Sequence, residues 1–171
     1  MLTPERIQEV LIAVRDIEPL SNRHPVLQVQ FVKRELQKLP ESCGDYDRLY
    51  VLQQIFLRMI QAKLGNYETG FSGGRYEALQ TAFATFNQQR QAYIAVFHCY
   101  LDPDGTITTA QFALISHFSP RTIRRRLEYG IKLLTFDSIG AELDANNVRN
   151  SVEVVPFDKH SQHIEGHLRK F

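Results

Sequence analysis

An all-α helical bundle is the fold class this sequence predicts, and three observations predict it. Apolar residues recur at helical spacing through most of the first 135 positions. The runs so marked begin at Thr3, Asp45, Thr108 or Thr109, and Ser119, and stop at Pro40 or Gly65. The one stretch with β-branched alternation, residues 151–157 (SVEVVPF), lies near the C-terminus and is interrupted by Pro156, so it reads as a short edge strand or wing.

Taken in order, Thr3-Pro4-Glu5 supplies an N-cap, a first-turn proline and an acid matched to the helix dipole. Ile7, Val10, Leu11 and Val14 follow on one face, predicting a helix over residues 4–17. Residues 21–25 punctuate, and Val29, Val32, Leu36 and Leu39 form the next stripe, stopped by Pro40. The longest periodic run spans residues 45–64, with Leu49, Leu52, Ile55, Phe56, Met59, Ile60 and Leu64 on one side and Gly65-Asn66 as its stop. Residues 65–75 (GNYETGFSGGR) are a glycine-rich loop without GxGxxG or a Walker lysine. Residues 76–86 and 91–101 read as two further helices with aromatic residues on their buried sides. Residues 141–150, with the Asn146-Asn147 pair, read as a polar turn or flexible segment.

A chain of 171 residues with 43% hydrophobic content fits one compact domain, or one with an appendage. Its formal net charge is +1, so any attraction for nucleic acid depends on where the charge sits. No run of 18 apolar residues is present and the N-terminus, MLTPERIQEV, lacks a basic-then-apolar signal pattern, so no membrane-spanning helix is expected. Cys43 and Cys99 offer neither a metal spacing nor a disulfide framework. A cytoplasmic location is the expectation.

Residues 109–127, TAQFALISHFSPRTIRRRL, carry the functional signal. Thr108 or Thr109 caps a short helix with Phe112, Ala113 and Ile115 as its apolar contacts. His117-Phe118-Ser119 makes a turn with Phe118 plugging inward; Ser119 caps the second helix and Pro120 takes its first position. Ile123, Leu127, Ile131 and Leu134 then form a narrow core stripe. Arg121, Arg125, Tyr129 and Lys132 face away from it, Thr122 lies beside them, and Arg124 and Arg126 flank the stripe on opposite sides. Residues 119–134 hold five cations against one acid, a net +4, whereas residues 135–155 net −3. Arginine's planar fork grips phosphate or a guanine edge through two hydrogen bonds, so this charge focus points to a nucleic-acid partner.

The string SPRTIRRRLEYGIKLL resembles the recognition helix of LuxR-type output domains, and more loosely sigma-factor region 4. The resemblance covers residues 91–136, with residues 91–101 matching the scaffold helix that precedes the pair. It implies a helix-turn-helix in which Ser119, Arg121 and Thr122 begin the phosphate and base contacts and Arg124 and Arg125 continue them. Two departures stand out: His117 occupies the usual turn-glycine position, and the second helix lacks an acidic capping-box partner.

Other constellations are thinner. Asp102–Phe112 resembles half of an EF-hand loop, but Tyr100 and Gln111 stand where the leading acid and the bidentate glutamate belong. His160, His163 and His167 would share a face if the tail were helical, a spacing compatible with zinc but more often that of solvent-exposed or interface residues. No catalytic arrangement, metal or cofactor is implied.

The expectation is therefore an all-α bundle containing a helix-turn-helix, divided as residues 1–88 (support or association), 89–136 (helix-turn-helix) and 137–171 (C-terminal extension). It would bind specific sequences of double-stranded DNA, in transcriptional regulation. Arg121, Thr122, Arg125 and Tyr129 would address the groove, while Arg124, Arg126 and Lys132 anchor phosphates. The N-terminal helices would offer a self-association surface, and a dimer would read two half-sites about one turn apart. The alternative is a helical adaptor whose basic helix docks on an acidic protein partner.

Overall fold

The computed structural model describes residues 1–65, 67 and 75–153, with backbone alone for Arg75 and residues 149–153. They form helices α1 (Pro4–Asp16), α2 (Gln30–Leu36), α3 (Asp45–Leu64), α4 (Arg75–Phe83), α5 (Gln88–Val96), α6 (Thr109–Ser116) and α7 (Pro120–Glu153). A 3-10 turn, Pro25–Gln28, precedes α2, and a π-turn, Phe97–Leu101, extends α5. No strand occurs among the described residues.

Local chemistry sets the ends. Thr3 accepts from the Arg6 N–H, Asp47 accepts from the Gly44 N–H at 2.8 Å, and Asn87 accepts from the Arg90 N–H at 3.0 Å. The fourth helix stops three residues earlier than its apolar spacing suggests. There the buried Gln91 amide donates to the carbonyls of Phe83 and Thr85, both at 2.7 Å, and so caps the chain end.

Helix α5 is the central element: Gln91 through Val96 are all buried. Around it lie α3, α4 and α7, while α1 packs on α3, on α7 and on the π-turn. The apolar stripes of α1 and α3 face this core. Large apolar side chains left exposed near them include Met1, Ile17, Tyr46 and Tyr50. Helix α7 approaches α5 closely because residue 130 is glycine; a Cβ there would lie 2.5 Å from the Ala92 carbonyl oxygen.

Two sequence expectations change. Residues 141–150 are not a turn: α7 runs unbroken through them to Glu153, and so through the 136/137 boundary. Tertiary bonds override the low helix propensity of the asparagines. The Glu142 carboxylate accepts from the N–H groups of Gln30 (2.6 Å) and Phe31 (3.3 Å), capping α2, and Arg34 donates to the Ala145 carbonyl at 2.6 Å. Of the expected strand, residues 151–153 are helical and residues 154–157 lie outside the described residues, as do His160, His163 and His167.

Candidate nucleic-acid interface

Helices α6 and α7 are joined by His117, Phe118 and Ser119. Thr108 and Gln111 close a capping box at the start of α6: the Thr108 hydroxyl accepts from the Gln111 N–H and the Gln111 carbonyl accepts from the Thr108 N–H. His117 turns the chain in the left-handed conformation (φ 59°), the geometry for which glycine is the usual choice. Phe118 is exposed rather than plugged inward. Phe83 and Phe112 already fill the space beneath at 4.9 Å, and Phe118 sets an edge on Phe83 at 5.3 Å. Ser119 accepts from the Thr122 N–H at 3.1 Å, and their two hydroxyls meet at 2.9 Å. Thr122 thus stands where a capping-box acid would, leaving this helix start without a negative charge.

Inward, Ile123, Leu127, Ile131 and Leu134 are buried. Outward, Arg121, Arg125, Tyr129 and Lys132 are exposed along one line of α7, with Thr122 half-buried beside it. No hydrogen bond or ion pair holds Arg121 or Arg125 among the described residues. The two guanidinium groups lie one turn apart near the positive end of the helix dipole, a combination suited to anionic oxygen.

The flanking arginines are placed differently. Arg124 is exposed but lines a cleft of about 450 Å³ between α7 and the start of α1, whose floor includes Leu127, Ile131 and Tyr100. Arg126 is half-buried and donates to Gln91 (2.9 Å) and Gln88 (3.3 Å) of α5. Both acceptors are neutral, so these bonds engage its fork within the bundle without setting an opposite charge against it.

Below this surface α7 is fixed to the core. The Tyr93 hydroxyl donates to Asp137 at 2.6 Å, and Lys63 pairs with the other Asp137 oxygen at 2.8 Å. Burial, then the neighbouring carboxylate, push the Tyr93 hydroxyl well above its ordinary pKa, so it remains a donor.

One buried polar chain was missed from sequence. Tyr67 OH lies 2.8 Å from His98 Nε2, and His98 Nδ1 lies 2.8 Å from Asp102 Oδ2; His98 and Asp102 are almost fully enclosed. The signal was the i, i+4 spacing of His98 and Asp102, which the π-turn bends into contact; the Asp102 N–H reaches the Phe97 carbonyl at 2.9 Å. Asp102 also accepts from the Asp104 N–H at 3.0 Å through its other oxygen, Oδ1, so the carboxylate joins His98 to the loop that resembles half an EF-hand. Among the described residues no three His, Cys, Asp or Glu side chains converge as a metal site, and no helix is long and apolar enough to cross a membrane. Burial pushes the Cys99 thiol up to about 12, which leaves it protonated and inert at neutral pH.

No protein-family model, curated protein or solved structure matches this chain.

Proposed function

We propose that the chain binds double-stranded DNA through the helix pair α6–α7, with the first four turns of α7 as the reading helix, and that it acts in transcriptional regulation in the cytoplasm. The observation that carries this reading is the exposed pair Arg121 and Arg125, one turn apart directly after the Ser119-capped turn. Arg121, Thr122, Arg125 and Tyr129 address the groove; Ser119, Arg124 and Lys132 lie within reach of flanking phosphates. Arg126 contributes positive potential more than contact, since its donors are engaged by Gln88 and Gln91.

Fluorescence anisotropy with random-sequence duplex across a salt series tests this. Affinity should fall with a log–log slope of about −0.9 per phosphate contacted. Arg121→Ala with Arg125→Ala should abolish binding while leaving the melting temperature in place. Undiminished binding by that double variant would sink the assignment.

A second reading, an adaptor for an acidic protein partner, rests on the Arg124 cleft, where Arg124 and Lys132, with Glu5 and Glu128 beside them, border an apolar floor. It predicts no salt-dependent DNA binding, together with capture of an acidic amphipathic peptide that Arg124→Ala weakens.

A further inference from the structure

Beyond residue 128 the outward line of α7 changes from cationic to apolar. Tyr129, Phe136, Ile139 and Leu143 are 40%, 72%, 37% and 60% exposed. With Lys132 they follow the alternating three- and four-residue spacing of a two-helix seam. Gly140 lies within the same line, and a Cβ built on it would meet nothing within 4 Å.

We propose that this seam pairs with the same seam of a second copy of the chain, antiparallel, about a two-fold axis between Ile139 and Gly140. Shape names the occupant. The order of side chains is large at Phe136, branched at Ile139, absent at Gly140 and large at Leu143. A two-fold between 139 and 140 sets each Ile139 into the hollow left by the other copy's Gly140, and each Phe136 against the other copy's Leu143. Such a contact is isologous and closes after one pair.

Charge sets the direction. In a parallel pair Arg125 would face Arg125 and Lys132 would face Lys132, and like charges opposed across a contact disfavour it. Antiparallel pairing separates both like-charged pairs and sets each Lys132 opposite position 147 of the other copy, one turn from the exposed Asp144. The axis lies about 16 residues from Arg121–Arg125, so the two cationic ends stand about 50 Å apart at 1.5 Å per residue. That exceeds the half-site spacing of about 34 Å on one straight duplex, so pairing and DNA reading are separable properties.

A helix seam of this length buries less than a standard interface, which marks the pairing as weak and concentration-dependent. Sedimentation velocity on the full chain, without DNA and up to about 300 μM, should show monomer passing to dimer. Phe136→Lys with Leu143→Lys should raise the dissociation constant at least about tenfold with an unchanged circular dichroism spectrum, both side chains being exposed. In a Cys43→Ser background, Ile139→Cys should form an interchain disulfide on mild oxidation. Lys132→Cys should not, because antiparallel pairing separates the two copies of that position by about 22 Å, beyond disulfide reach. A monomer over the whole range, a dimer indifferent to both lysines, or a disulfide at position 132 would each overturn the proposal. Because these measurements contain no DNA, their failure leaves the DNA-binding reading to be judged separately.

Discussion

The two halves of α7 are one helix with opposite polarity. In the first half Ile123, Leu127, Ile131 and Leu134 point in while Arg121 and Arg125 point out. Among the described side chains of the second half Thr135, Ser138 and Ala145 are buried, Glu142 is half-buried, and Phe136, Ile139 and Leu143 are exposed. The inversion is possible because each inward polar group has a partner. Thr135 donates to the Ile131 carbonyl at 2.8 Å, Ser138 donates to the Leu134 carbonyl at 2.7 Å, and Glu142 caps α2. Burial here follows satisfaction of polar groups, not apolarity alone.

The largest effect that would break this contrast comes from one pair of leucines. Leu127→Ala should cost about 2–5 kcal/mol of stability, whereas Leu143→Ala should stay within about 0.5 kcal/mol. Chemical denaturation of dilute protein measures both, and equal losses would refute the inverted polarity. Next come the glycines. Gly130→Ala should destabilise by about 1–3 kcal/mol because the Ala92 carbonyl cannot yield as a flexible side chain would, lowering Tm by roughly 2–12 °C. Gly140→Ala should instead stabilise the monomer by about 0.4–1 kcal/mol through helix propensity alone. A thermal scan below the dimerisation range reads the sign of each.

Glu142→Ala should remove the long-range cap and cost about 1 kcal/mol, with Glu142→Gln losing less because an acceptor remains. Hydrogen exchange should localise that loss to the start of α2. Smallest is His117→Gly, which relieves a left-handed histidine and should gain at most about 1 kcal/mol. A loss there would show that the imidazole is held by something other than the turn.

The sequence made the first half legible and disguised the second. Thr3, Asp45, Ser119 and Pro120 mark helix starts by short-range chemistry, and α3 begins and ends where its stripe does, at Asp45 and Leu64. Arg121 and Arg125 could be placed outward because the inward stripe beside them is purely apolar. Past Phe136 that rule fails: Ser138 and Glu142 look like surface residues until the carbonyl of Leu134 and the amides of α2 are seen to receive them. Asn146 and Asn147 look like a turn because what holds this stretch helical lies on α2, beyond local reach; Asn146 donates to Glu142, the acceptor for the α2 amides, at 3.3 Å. The π-turn was invisible for the same reason, since its signature is a backbone register rather than a residue type. Arg126 was read as a phosphate anchor because nothing local announces Gln88 and Gln91, which stand on another helix.

Gly130 also has a mechanical meaning. Where α7 touches the α5 backbone the two rods meet at a fulcrum, and α7 extends from it with unequal arms, about 15 Å toward Pro120 and about 35 Å toward Glu153. A tilt of about 5° would therefore carry the reading end through about 1 Å and the far end through about 3 Å. The restraints are distributed to match. Arg126 grips α5 only about 6 Å from the fulcrum, whereas the bond from Arg34 to the Ala145 carbonyl acts about 22 Å away, with nearly four times the leverage. The arginine-bearing end, packed by α6 and α1 close to the fulcrum, is thus also braced from the opposite end of the rod, by the short helix that Glu142 holds in place.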